Sequence, residues 1–228
     1  MATAKIDFYL AHRHQISEWA RLAERVDRLM RDAVKEGSQD KAIKLLNAES
    51  GDAEADFYVR NRLLITEWDA LQSLAGQALH VELLASAREA GLDAEEGKRG
   101  WTEVTFRSPE FDRLRNEQRV WVHLVWAKQD LLSTRRGYPF PRLSLVLHPD
   151  AWTGASRDVV AKATRPVARH LGMTRKGIWS AHWGMLDEIA ESQNLRSYAH
   201  ACVASLRDAS ARLYPVLVEA IAATQARS

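Results

Sequence analysis

The chain has 228 residues, 46% of them hydrophobic and 27% charged, which is the composition of an ordinary globular protein. Its 32 Lys and Arg residues nearly balance its 30 Asp and Glu residues, which excludes both a strongly basic nucleic-acid coat protein and an acidic tail. The single cysteine, Cys202, excludes an intramolecular disulfide, and its position in the apolar pattern of the last helix predicts a buried apolar side chain. Together with an N-terminus that lacks a signal-peptide pattern, it predicts a reducing, cytoplasmic location.

The first third of the chain has the hydrophobic periodicity of helices. Apolar residues recur there at spacings of three and four, which is typical of a helix with one buried face. The pattern predicts a first helix that ends near Gly37 and a short second helix up to Asn47. A longer helix is predicted from about Asp56 to Glu89, and the alternative is a helix interrupted near Arg60 and Asn61.

A change in composition marks the middle of the chain. The stretch 92–100 is polar and charged, as is typical of a linker. It divides a helical N-terminal region, residues 1–91, from a second region over residues 101–228. The alternative is one compact domain in which this stretch is only a connection.

The segments after this stretch have the composition of strands. Three short segments are rich in β-branched, aromatic and apolar residues, and the first two are too close together for a crossover helix. We therefore predict a small three-stranded, largely antiparallel sheet flanked by helices, in a mainly helical α+β fold. The predicted strands are Trp101–Phe106, Val120–Ala127 and Leu143–His148.

The last third of the chain again has helical spacing. Ser156 is predicted to cap a helix that runs toward Leu171, with Pro166 kinking or dividing it. A further helical segment is predicted over residues 178–191, and a final long helix from near Asn194.

The strongest candidate for a functional site is the long loop between the second and third predicted strands, which is basic and aromatic. Arginine side chains bind phosphates, and aromatic rings offer flat faces on which bases stack, so the combination is typical of nucleic-acid binding. A later segment has the same character, and the two would form a basic, aromatic groove if they converge. The competing interpretation is a rigid turn whose aromatic side chains pack on the core. The candidate nucleic-acid-binding residues are Arg135, Arg136, Tyr138, Phe140 and Arg142 in the loop, and Arg175, Lys176, Trp179 and Trp183, with His182, in the later segment.

A weaker set of candidates lies on and beside the predicted strands. Glu103, His123 and Asp150, with His148, would serve as general acid and base or as metal ligands if the strand register brings them together. The alternative is a solvated Glu103 and a hydrogen-bonded core His123. Because the spacing of these residues is not diagnostic, and a lone cysteine excludes a cysteine-based zinc site within one chain, we predict no metal site and no cofactor.

Three functions are compatible with these patterns. The first is a cytoplasmic binding protein that contacts nucleic acid. The second is an assembly protein whose apolar helix faces join copies into a homo-oligomer or bind a helical protein partner. The third is a metal-dependent hydrolase or nuclease-like enzyme that uses the strand residues. No apolar stretch is long enough to cross a membrane, so no membrane partner is expected.

Overall fold

A computed structural model describes residues 18–97, 100–133, 138–186 and 194–226 of the chain. Within these ranges the fold is α+β and mainly helical, with an antiparallel sheet, which confirms the predicted fold class. The helices are α1 (Trp19–Lys35), α2 (Gln39–Leu46), α3 (Ala53–Glu89), α4 (Pro109–Gln118), α5 (Gly154–His170) and α6 (Leu195–Gln225), and the strands are β1 (Asp93–Glu96), β2 (Trp101–Thr105), β3 (Val120–Ala127), β4 (Arg142–Leu147) and β5 (Ser180–Met185).

The N-terminal compact unit lies within residues 1–72 and contains α1, α2 and the first part of α3. The apolar side of α1 buries Leu22, and α2 buries Leu45, as the periodicity of these segments requires. Arg25 on α1 pairs with Asp52, at 2.7 Å between Nη2 and Oδ2. The same carboxylate accepts a hydrogen bond from the first turn of α3, so one side chain both caps a helix and ties two helices together.

The second compact unit lies within residues 73–228 and is built on a five-stranded sheet. The strands follow one another in chain order, each antiparallel to the next. Helices α5 and α6 pack on one face of this sheet, where His182 lies with Nε2 2.9 Å from the carbonyl oxygen of Ala161. Fully buried Trp126 donates its Nε1–H to Nδ1 of His80 on α3 at 3.0 Å.

The strand register decides which side chains share the opposite face, which we call the polar face. Side chains of directly paired residues point to the same side of a sheet. Glu103 pairs with Val125, which pairs with Arg142, while His123 pairs with Ser144, which pairs with Trp183. The polar face therefore carries Trp101, Glu103, Trp121, His123, Arg142, Ser144 and Trp183.

The prediction of three strands is wrong, because the sheet has five. Strand β1 lies in the stretch predicted as a polar linker, and all four of its side chains are exposed. The strand has no alternation of apolar and polar residues by which it could be recognised. Its place in the sheet is determined by backbone pairing with β2. Strand β5 replaces the first part of the segment predicted as a helix over residues 178–191. The last residues of that segment lie outside the described ranges.

A glycine explains how β5 reaches its position. An ideal Cβ at Gly184 would lie 2.2 Å from the carbonyl oxygen of Gly172, in the turn that follows α5. Gly172 itself has φ +72°, a left-handed conformation that favours glycine. This close approach of β5 is a contact between distant parts of the chain, so the local hydrophobic pattern does not predict it.

The predicted helices are confirmed in outline and corrected in detail. Helix α3 is one continuous helix, as the long periodic segment predicts. Helix α5 begins at Gly154, so the prediction of Ser156 as its cap is wrong: the Ser156 hydroxyl donates to the carbonyl of Thr153 instead. Pro166 lies inside α5 and does not divide it.

The single cysteine is part of the hydrophobic core. Cys202 on α6 has no exposed surface, and burial raises the pKa of its thiol to about 12. The thiol is therefore an inert apolar group at neutral pH, as its position in the apolar pattern predicts. In the part of the chain that the structure describes, no helix is long and apolar enough to cross a membrane.

Candidate functional site

Three aromatic rings surround the guanidinium of Arg142 at one end of the polar face. The Arg142 Cζ atom lies 3.8 Å from the ring centre of Tyr138, 4.7 Å from that of Trp101 and 5.3 Å from that of Trp183. The rings also contact one another, with centres 6.0 Å apart for Trp101 and Tyr138 and 5.7 Å apart for Tyr138 and Trp183. We call these four residues the Arg142 cluster.

The charge of Arg142 is stabilised by ring contacts and, to a smaller extent, by the Asp130 carboxylate, which forms no ion pair with it. The side chain is half-buried, and no ion pair among the described residues includes it. Its buried Nε atom has no hydrogen-bond partner. Burial lowers the pKa of Arg142 below its ordinary value, with Tyr138 acting against this effect. A guanidinium remains charged under these conditions, so the cluster holds a partly desolvated cation that can accept an anionic partner.

Arg175 lies beside this cluster, and Lys176 follows it in the chain. Arg175 forms an antiparallel bridge with Trp183, and its Cζ atom lies 5.0 Å from the Trp183 ring centre. The Trp183 ring thus contacts guanidinium groups from both Arg142 and Arg175. Both Arg175 and Lys176 are exposed, so their charges are open to solvent and to ligands.

The other predicted nucleic-acid-binding residues have different positions. Phe140 is buried, with its ring 6.5 Å from that of Tyr198, so it presents no open face to a base. His182 is buried on the helix-covered face and contacts α5. Trp179 is 55% exposed, in the turn before β5. Arg135 and Arg136 lie outside the described residues.

Glu103 and His123 form a pair further along the polar face. Oε2 of Glu103 lies 2.9 Å from Nδ1 of His123, and its Oε1 lies 3.6 Å from the guanidinium of Arg115 on α4. Burial raises the pKa of Glu103, but His123 and Arg115 outweigh that effect, so the pKa lies below its ordinary value. The carboxylate is ionised at neutral pH and balances two neighbouring basic groups.

The structure does not bring the third catalytic candidate to this pair. Asp150 is exposed, and its carboxylate lies 3.6 Å from Nδ1 of His148. The ring of Trp121 stands between the two histidines, with its centre 6.3 Å from each. Within the described ranges, no group of three or more His, Cys, Asp or Glu side chains could hold a metal ion.

Sequence reasoning missed Trp101 and Arg115, which take part in these two groups. Trp101 begins a predicted strand, and its alternation with Glu103 places both side chains on one face. The strand alternation that places Trp101 beside Glu103 could be recognised in the sequence. The proximity of Trp101 to the loop residue Tyr138 could not, because it depends on how the strands pair. Arg115 lies on α4, and no local pattern points it toward Glu103.

Comparison with known proteins adds no functional information. No family model, no curated protein and no solved structure matches this chain.

Proposed function

We propose that this protein binds nucleic acid through the Arg142 cluster together with Arg175 and Lys176. The observation that carries the proposal is the Arg142 guanidinium, which is half-buried among three rings and forms no ion pair with any described carboxylate. A partly buried cation is stabilised by an anion, and the exposed Arg175 beside it extends the same preference.

The combination of charge and rings favours nucleic acid over a small anion. Phosphates contact arginine and lysine side chains, while bases stack on aromatic rings, and both kinds of group are present within one cluster. The three rings contact Arg142 and one another, so these contacts hold the rings in fixed positions. The Glu103 carboxylate, paired with His123 and Arg115, adds little net negative charge to the same face.

The test compares two double variants that remove the same charge. Arg175→Ala with Lys176→Ala removes two exposed cations, one in contact with the cluster and one next to it in the chain. Lys162→Ala with Arg169→Ala removes two exposed cations from α5, which packs on the other face of the sheet. Binding of a labelled oligonucleotide is measured by fluorescence anisotropy over a range of salt concentrations.

We expect the first variant to bind more weakly and to depend less on salt, with a slope reduced by about one unit for each phosphate that is no longer neutralised. The second variant is expected to bind like the unmutated protein. Arg135→Ala with Arg136→Ala is expected to follow the first variant if the predicted loop belongs to the same surface. The proposal is wrong if the unmutated protein does not bind at low salt, or if the first two variants are weakened to the same extent.

Two exposed apolar side chains on the part of α3 that belongs to the second compact unit support assembly as a second candidate function. Leu74 and Val81 are each 61% exposed. Their spacing of seven residues places them on one side of the helix. Such a pair is typical of a surface that packs against another helix, here that of a second copy or a partner protein.

A further inference from the structure

The turn before β5 is held in place by several backbone contacts. Arg175 and Trp183 exchange two backbone hydrogen bonds of 2.9 Å, and within the turn the N–H of Gly177 donates to the carbonyl of Ser180 at 2.9 Å. The guanidinium of Arg157 donates to the carbonyl of Gly177, at 3.1 Å, and to that of Leu147. The backbone of this turn is therefore fixed before any ligand binds.

Two large apolar side chains are exposed at the end of this turn. Ile178 is 78% exposed and Trp179 is 55% exposed. The Trp179 ring packs against the His148 ring in a T-shaped contact, with ring centres 4.8 Å apart and an interplanar angle of 81°. An isolated exposed apolar residue needs no explanation, but two consecutive ones on a fixed turn are typical of a contact surface.

The charges around these side chains point to an anionic partner. Arg175 and Lys176 precede them in the same turn, and both are exposed. Arg175 also contacts the ring of Trp183, so the turn is continuous with the Arg142 cluster. A chain of phosphates that contacts the cluster would extend past Arg175 along this turn and bring its next bases to Trp179.

We propose that Trp179 stacks with an unpaired base, with Ile178 packed beside it, so that the ligand of this surface is single-stranded nucleic acid. This inference rests on the proposed function and names the form of its ligand. In a duplex the bases are already stacked on one another, and an inserted side chain must first separate them at a cost in free energy. An exposed tryptophan binds an unpaired base without that cost.

The experiment measures the affinity of Trp179→Ala for a labelled oligothymidylate and for its duplex with oligoadenylate. We expect a loss of about 5- to 150-fold for the single strand, which corresponds to the free energy of one stacked base. The salt dependence is expected to stay unchanged, because no phosphate-binding side chain is removed. Trp179→Phe keeps a stacking ring and is expected to retain most of the affinity. Val218→Ala, which shortens an exposed apolar side chain on α6, is the matched control and is expected to bind normally.

Three results would overturn this inference while leaving the proposed function in place. The first is an unmutated protein that binds the duplex as tightly as the single strand. The second is a Trp179→Ala variant that binds the single strand with unchanged affinity. The third is binding to anionic phospholipid vesicles that this variant loses while its oligonucleotide affinity is unchanged. Failure of the unmutated protein to bind any oligonucleotide at low salt would instead contradict the proposed function itself.

Discussion

The protonation of two buried histidines, His182 and His80, is determined by tertiary packing. On β5, His182 is almost fully buried, and its Nε2 atom lies near both the Ala161 carbonyl and the Thr164 hydroxyl. Burial lowers its pKa, although the hydrogen bond to Ala161 acts against this. His80 accepts a hydrogen bond from Trp126 and is likewise shifted to a lower pKa by burial. Both rings are therefore neutral in the folded protein at neutral pH.

We expect this burial to make the protein less stable in mild acid. A histidine in the unfolded chain has a pKa of about 6.5, so below that pH the unfolded chain binds protons that the folded protein excludes. The contribution of the two buried histidines to the free energy of unfolding is therefore fully present above that pH and is lost as the pH falls. Urea unfolding at several pH values measures the effect, and His182→Gln should reduce the slope of stability against pH. An unchanged slope in that variant would show that His182 does not contribute.

Helix α4 is an element whose ends can be recognised from local chemistry. Ser108 caps its N-terminus, accepting a hydrogen bond from the N–H of Phe111 at 3.3 Å, and Pro109 occupies the first turn. Glu110 and Asp112 add negative charge where the helix dipole is positive. Arg119 ends the helix in a left-handed conformation with φ 54°.

Removal of this cap tests its contribution to stability. Ser108→Ala is expected to lower the free energy of unfolding by about 1 kcal/mol, because one N–H of the first turn loses its acceptor. Ser156→Ala is a matched control, since the Ser156 hydroxyl donates to Thr153 and caps no helix. It should change stability by less. Equal losses in the two variants, measured by urea unfolding, would contradict a capping role for Ser108.

Strand β5 illustrates why some elements cannot be recognised locally. The four-residue spacing of Trp179 and Trp183 is compatible with a helix. The strand itself, Ser180–Met185, contains no β-branched residue. Short segments of this kind carry no decisive periodicity. Pairing with β4 and the close approach at Gly184 determine the strand, and both depend on residues distant in sequence.

At the scale of the whole molecule, the exposed apolar residues Leu74 and Val81 on α3 predict self-association. If they join copies of the chain, light scattering at high concentration should report a mass above the 25.8 kDa of one chain. Leu74→Glu with Val81→Glu should return the mass to that of a monomer, because burying two carboxylates in an apolar interface is unfavourable. Val218→Glu, on α6, is the control. A monomeric mass for the unmutated protein at every concentration would exclude this role.

The amino-acid sequence by itself determined the helices of the N-terminal third, the three central strands, the α+β class and the buried cysteine. Periodicity and composition report whether a side chain faces core or solvent, and that is decided within one element. It also identified Tyr138, Arg142, Arg175 and Trp183 as candidates, because their residue types suit phosphates and bases. Only the tertiary structure decided that these four meet, that Trp101 joins them and that Phe140 turns inward to the core. The reason is physical: strand register and close backbone approach are contacts between distant residues, and no local pattern contains them.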